Sequence, residues 1–300
     1  MRLMAGVDVG GTRVKSVLAD SDGSVLLSHT ASTPDHPGEA VVDLIVSTVS
    51  DLLEAARAKG ITGELAAVGA VVPGLVDESL GTAAWSANLG WRDLPLRERL
   101  RELFDVPVAV GHDVRAGLLA EFHLGAAQGV PDVLFVPLGT GIASALLASG
   151  RVVAGTEWTG EIGHVVVDPD GPVCGCGRRG CLEAVASAGA LGRAWRSLGR
   201  DGDAETLSRA VADGDREAIR LWEGAIDALV RVIAPVCAAA GTRVLLIGGG
   251  LAESGALLLD PLRDRLVHSL GHDRITVTRA ALGDRAGALG AALLAMEAAA

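Results

Sequence analysis

A chain of 300 residues with 49% apolar content exceeds one average domain and can fill more than one sizeable core, so a globular two-domain organisation is expected. Its 37 acidic against 26 basic residues, a formal net charge of −11, advertise no basic face and argue against nucleic acid as the main partner. Asp8 arrives too early for a signal-peptide core, and Pro137, Gly139 and Gly141 interrupt the longest uncharged stretch, Val133 to Gly150, so no membrane partner and a cytoplasmic location are expected.

The chain opens with an apolar run from Leu3 to Val9, a loop at Gly10-Gly11-Thr12, and a second apolar run, Val14 to Ala19; Ser24 to Ser28 follows a turn signal as a third strand. The loop is either a tight hairpin or a cradle that offers backbone N–H groups and a hydroxyl to phosphate oxygens. A helix is predicted over 39–59, with Gly60 as its stop, followed by a buried strand over 65–72 that ends at Pro73-Gly74. A further helix over 94–104 and a strand over 106–110 lead to Gly111-His112-Asp113 and a helix over 114–124. Asp113 reads equally as the N-cap of that helix or as a general base exposed at a strand end.

The opening pattern then recurs. Val133 to Leu138 is apolar, Gly139-Thr140-Gly141 is a second glycine loop, 142–147 reads as a strand, and 151–154 resumes another after Ser149-Gly150. Two such hairpins predict a duplicated architecture, in which facing loops could grip one polyphosphate.

Between Gly160 and Glu183 lie three of the four cysteines and a histidine. His164, Cys174, Cys176 and Cys181 supply one imidazole and three thiolates, the donor set of a closed, structural Zn²⁺ site. A disulfide framework fits less well, because three cysteines leave one unpaired. The fourth, Cys237, reads as a buried thiol. Helices are predicted over 183–198, 203–213 and 215–240, then a strand over 243–247 that enters Gly248-Gly249-Gly250, a helix over 256–270, a strand over 275–279 and an alanine-rich terminal helix containing Gly287 and Gly290.

Taken together, DVGGTR at 8–13, PGLVD at 73–77, NLGW at 88–91, His112-Asp113, GTG at 139–141, EIGH at 161–164 and CGCGRRGCLE at 174–183 resemble the ROK family of sugar kinases and repressors. The actinobacterial-type glucokinases of that family are the nearest in look. The resemblance implies an α/β, actin-like (ribonuclease H-like) two-lobed fold with duplicated domains and a cleft between them. The small lobe would span 1–113, completed by a terminal helix over 285–300, and the large lobe, with the zinc motif, 114–284. With no helix-turn-helix before Met4, the kinase branch is expected over the repressor branch.

By the same resemblance, ATP phosphates would be held by Gly10, Gly11, Thr12, Gly139, Thr140 and Gly141, with Gly248, Gly249 and Gly250 near the adenosine and Asp8 helping to place Mg²⁺. Asn88, His112, Asp113, Glu161, His164 and Glu183 would bind the sugar, and Asp113 would take the proton of its 6-hydroxyl. The implied activity is ATP-dependent phosphorylation of glucose or a close analogue, in a homodimer or homotetramer. A non-catalytic sugar sensor is the reading from another class, disfavoured by the intact Asp8, glycine loops and Asp113. Two positions depart from the family pattern: His112 and Arg115 each stand where asparagine is usual. A neutral imidazole at 112 could accept a proton from a ring ammonium, so an amino sugar such as kanosamine is the alternative substrate, alongside N-acyl hexosamines and mannose.

Overall fold

The apolar run that opens the chain is the central strand of the first sheet. In the computed structural model, which describes every residue except Ala87, β1 (Arg2–Val9) pairs antiparallel with β2 (Arg13–Asp20), and β2 with β3 (Val25–Ser32). Helix α1 (Val41–Ala58) ends where predicted, with Gly60 in the left-handed region at φ 75°. β4 (Glu64–Val72) returns parallel to β1. Next come β5 (Leu75–Asp77), β6 (Thr82–Ser86) and β7 (Trp91–Leu94), a small antiparallel sheet that the sequence pattern did not disclose because its strands are only three to five residues long. The helix expected over 94–104 shortens to α2 (Leu96–Arg101), since Pro95 stands at its N-cap and no turn can continue back through it. β8 (Val108–His112) then lies parallel to β4 and runs without a loop into α3 (Asp113–Leu124).

These elements form the first of two units, residues 1–123 with 154–159 and 284–300. The expected boundary after 113 is therefore corrected. α3 stays with the first unit because the terminal helix, Ala286–Ala298, packs against it: a Cβ on Gly290 would lie 2.0 Å from the Ala116 carbonyl oxygen. The same helix lies on a floor made by two glycines paired in register on β1 and β4. A Cβ on Gly6 would meet Ala288 O at 2.3 Å, and one on Gly69 would meet Ala291 O at 1.8 Å. The small residues of the terminal segment thus serve close packing. The unit's aliphatic core gathers Leu3, Val7, Leu18, Ile45, Val68 and Val110.

The second unit covers 124–153 and 160–283. β9 (Val133–Pro137) pairs antiparallel with β10 (Ala145–Ala148), and β10 with β11 (Arg151–Val152). The helix predicted over 183–198 is two: α4 (Leu182–Ala186) and α5 (Ala188–Ser197), broken where the Ser187 hydroxyl accepts the Ala190 amide at 3.0 Å. Asp203 and Asp215 likewise cap α6 (Ala204–Ala212) and α7 (Arg216–Ala240). β12 (Val244–Gly248) returns parallel to β9, followed by α8 (Ala256–Leu270), β13 (Thr276–Arg279) and the terminal helix, α9.

The two five-stranded sheets have the same order and sense: β3-β2-β1-β4-β8 and β11-β10-β9-β12-β13, each with two antiparallel pairs followed by two parallel ones. The duplication read from the two glycine hairpins is therefore a duplication of whole sheets. No described helix is long and apolar enough to cross a membrane.

Candidate functional site

In the first unit the β1–β2 turn is tied back through its carbonyls. The Thr33 hydroxyl donates to Gly10 O at 2.7 Å, the Thr33 amide to Thr12 O at 3.0 Å, and the Gly10 amide to Arg13 O at 2.9 Å. Among the described residues the amides of Gly11 and Thr12 make no such bond, so they are the donors the loop can offer an anion. Gly11 has open space on its side-chain face.

Asp8, near the end of β1, is half-buried between the buried Val7 and Val9. Burial, the neighbouring carboxylate of Asp113 and that of Asp284 push its carboxyl up to about 7 against the pull of Lys15. Gly287 on α9 is a glycine for this reason, since a Cβ there would lie 2.4 Å from Asp8 Oδ2. A part-buried carboxylate with two other acidic groups acting on it suits a divalent cation.

Asp113 begins α3 but does not cap it in the usual way, because its Oδ1 accepts the amide of the next residue, Val114, at 2.8 Å. His112 Nε2 lies 3.5 Å from the same oxygen. Oδ1 is thereby contacted from two sides.

His112 itself is 2% exposed, and burial holds its imidazole below the usual value despite Asp113, so it is neutral at physiological pH. In the first unit the ring faces inward and stands beside Asp113.

Two further residues complete this end of β8. Arg115 is buried, and its guanidinium donates to Glu78 Oε1 at 2.9 Å, Val76 O at 3.1 Å and Thr159 O at 3.0 Å, while Glu78 Oε1 also accepts the His112 amide at 2.8 Å. Glu78 was not singled out in the sequence; its only signal is its place directly after the PGLVD motif. Asn88 stands exposed in the turn between β6 and β7.

In the second unit, the loop 139–141 is closed by a bond from the Gly139 amide to Gly141 O at 3.1 Å, and Gly139 O accepts the Ala188 amide at the start of α5, 2.9 Å. Glu183 Oε2 accepts the Ile142 amide at 3.0 Å and lies where a Cβ on Gly141 would sit, 2.4 Å away. Ile142 and Ser144, predicted as strand, are consequently loop: their amides go to Glu183 and to Gly160 O, and β10 starts only at Ala145. Gly248 ends β12 beside this loop, with Leu138 N donating to Gly248 O at 2.9 Å. Gly249 turns at φ 74°, where a Cβ would strike Leu138, and Gly250 has open space.

His164, Cys174, Cys176 and Cys181 converge, with ligand atoms all within 4.8 Å of one another. Cys176 and Cys181 sulfurs are 3.7 Å apart, and His164 Nδ1 is 3.6 Å from Cys174 Sγ. A tetrahedron with Zn–S bonds of about 2.3 Å has edges of about 3.8 Å, so the Cys176–Cys181 and His164–Cys174 separations match the edges such an ion requires and the other pairs lie within 4.8 Å. Burial pushes the Cys181 thiol up to about 12, whereas at Cys176 hydrogen bonds from Arg178 outweigh burial and draw it down to about 7. The remaining nitrogen, His164 Nε2, faces Glu161 Oε2 at 3.8 Å. On the other side Glu183 Oε1 lies 3.9 Å from Cys174 Sγ. Both glutamates thus flank the four-residue knot, and one of them also holds the glycine loop.

The ROK family profile matches residues 4–298. A glucokinase of Streptomyces coelicolor is 35% identical over 99% of this chain and 98% of its own, and an N-acetylmannosamine kinase of Citrobacter koseri is 31% identical over 96% and 97%. Among solved structures, a ROK family glucokinase from Streptomyces griseus in complex with glucose and AMPPNP superposes with a TM-score of 0.81 at 30% identity, covering 98% of this chain and 99% of that one. With a profile match over nearly its whole length and relatives above 30% identity at both ends, the chain belongs to the ROK family and has its actin-like two-lobed fold.

Proposed function

We propose that this ROK-family sugar kinase transfers the γ-phosphate of ATP to the 6-hydroxyl of glucose or a close analogue, with Asp113 as general base. The observation that carries the reading is the fixed Asp113 Oδ1, held by the Val114 amide and faced by His112 Nε2, which aims the carboxylate at the end of a parallel strand. Asp113 Oδ2 accepts the hydroxyl proton as the sugar oxygen bonds to phosphorus and the β–γ bridging P–O bond breaks, leaving ADP. The amides of Gly11 and Thr12, and the loop 139–141, bind phosphate oxygens, with 248–250 toward the adenosine. Asp8 helps to hold Mg²⁺, which neutralises phosphate charge; the carboxyl must first lose the proton that its surroundings favour.

Asn88, Glu161, His164 and Glu183 bind sugar hydroxyls. His164, Cys174, Cys176 and Cys181 hold a structural Zn²⁺ that fixes the imidazole through Nδ1 and so orients Nε2 and its partner Glu161. Buried acceptors left unpaired by a wrong sugar cost about 1–3 kcal/mol each, enough to select among hexoses. Relatives of about equal coverage act on glucose and on N-acetylmannosamine by name, so kcat/KM across glucose, mannose, glucosamine and N-acetylmannosamine identifies the substrate.

Asp113→Asn tests the base. The variant is expected to bind sugar with wild-type affinity by calorimetry and to lose at least about 1,000-fold in kcat, in line with the upper range for general-base catalysis, in an assay that couples ADP release to NADH oxidation. Turnover within tenfold of wild type overturns the assignment.

A further inference from the structure

We infer that Arg115 and Glu78 form a buried positioning unit that sets the end of β8, and with it the carboxylate of Asp113. This rests on Asp113 being the general base. A guanidinium presents its donors in a rigid plane, and here that plane reaches three acceptors on two segments: Val76 O and Glu78 Oε1 at and just after β5, and Thr159 O in the 154–159 segment. Its side chain is 4% exposed and that of Glu78 27%, so the cation is the desolvated partner and the carboxylate its obligatory counter-charge.

The unit reaches the reacting residue through one atom. Glu78 Oε1 takes both Arg115 Nε, at 2.9 Å, and the backbone amide of His112, at 2.8 Å. The peptide it grips, Gly111–His112, lies one peptide before Asp113, where β8 turns into α3 with no loop between them. Gly111 makes the grip possible, since a Cβ there would lie 3.3 Å from Glu78 Oε1 and 2.7 Å from a Leu294 methyl. Arg115 is also the third residue of α3, so the helix start is held from within by its own side chain. Moving Glu78 Oε1 therefore moves the peptide before the base and not the groups that would hold sugar hydroxyls in the second unit. An ordinary buried ion pair, in contrast, would affect stability alone.

The two roles separate in Arg115→Lys, which keeps the positive charge but offers a single nitrogen in place of the planar fork. Turnover, sugar affinity by calorimetry and melting temperature are measured on the folded full-length variant, beside Asp113→Asn. The expected result is a fall in kcat of about 10- to 100-fold, the size produced by misplacing a reacting group by about 1 Å, with sugar Kd within about threefold of wild type. The double variant Arg115→Lys with Glu78→Asp should be no slower than the worse single variant, because both act through one oxygen.

A folded Arg115→Lys with wild-type kcat, or a Kd that weakens by the same factor as kcat falls, overturns the inference. Full activity in Asp113→Asn overturns the base assignment and this inference with it, whereas an inactive Asp113→Asn beside a fully active Arg115→Lys overturns this one alone. If Arg115→Lys does not fold, Glu78→Asp, which retains the charge but is too short to reach both donors, is read by the same criteria.

Discussion

Asp8→Asn is expected to stabilise the metal-free protein, and to do so more strongly as the pH rises. In the folded protein the Asp8 carboxyl is pushed up to about 7 from an ordinary value of 3.8, by burial first and by the Asp113 carboxylate next. A carboxyl whose folded pKa is raised binds more protons folded than unfolded between those two values. Its contribution to stability is fully present below about pH 3.8 and is lost as pH climbs to about 7. Each unit corresponds to about 1.4 kcal/mol, so between about pH 5 and pH 7 the wild type loses up to about 3 kcal/mol that an asparagine at position 8 does not lose.

An unfolding entropy of about 2.1 cal/mol/K per residue converts this, for a chain of 300 residues, into a widening of the melting-temperature gap by about 5 °C. The assay is differential scanning calorimetry of both proteins in EDTA, from about pH 5 to pH 8. The gap should widen to about pH 7 and then level. Millimolar Mg²⁺ at the alkaline end should narrow it, because a bound cation favours the ionised carboxylate that the asparagine lacks. A gap that is independent of pH would refute the reasoning, because the asparagine would then be acting through packing and not through charge.

Replacing Cys176 with Ser, or stripping the metal with a chelator, should lower the melting temperature and raise the sugar KM by about tenfold, because the imidazole of His164 and Glu161 lose their common anchor. Metal content by mass spectrometry, melting curves and glucose kinetics check this, and unchanged KM in metal-free protein would separate the knot from the sugar site. Gly69→Ala should cost at least about 1–3 kcal/mol in urea unfolding, because its Cβ would lie 1.8 Å from the Ala291 carbonyl oxygen and α9 must move as a body to make room. A wild-type midpoint would mean that α9 is not seated on β4 as described.

Much of the site was legible because its residues are local in sequence. The four candidate metal-ligand atoms come from positions 164 to 181, and the turns at 10–12 and 139–141 announce themselves by glycine between apolar runs. Helix ends were equally readable: the ranges expected from 203 and over 215–240 start at the capping residues Asp203 and Asp215 and stop just before Gly241. Ser187 was not read as a cap because leucine and alanine continue on both sides, and only its bond to the Ala190 amide shows the break. The three short strands β5 to β7 escaped notice because so few residues carry no periodicity.

Other features depended on which distant residues meet. His112 invites a role at the substrate when read beside Asp113 alone; folding buries it with Nε2 beside that aspartate. Arg115 reads as a departure from a family pattern, and only folding supplies its three acceptors, two of them 37 and 44 positions away in the chain.

By itself the sequence determined the two repeated sheets, the glycine turns, the metal-ligand set and the aspartate at the strand end, because each is encoded by residue type at short range. Only the tertiary structure decided the raised carboxyl of Asp8, the burial of His112, the Arg115–Glu78 contact at the end of β8 and the seating of α9 on paired glycines. These depend on desolvation and on contacts between segments far apart in the chain, and neither is a property of any local stretch.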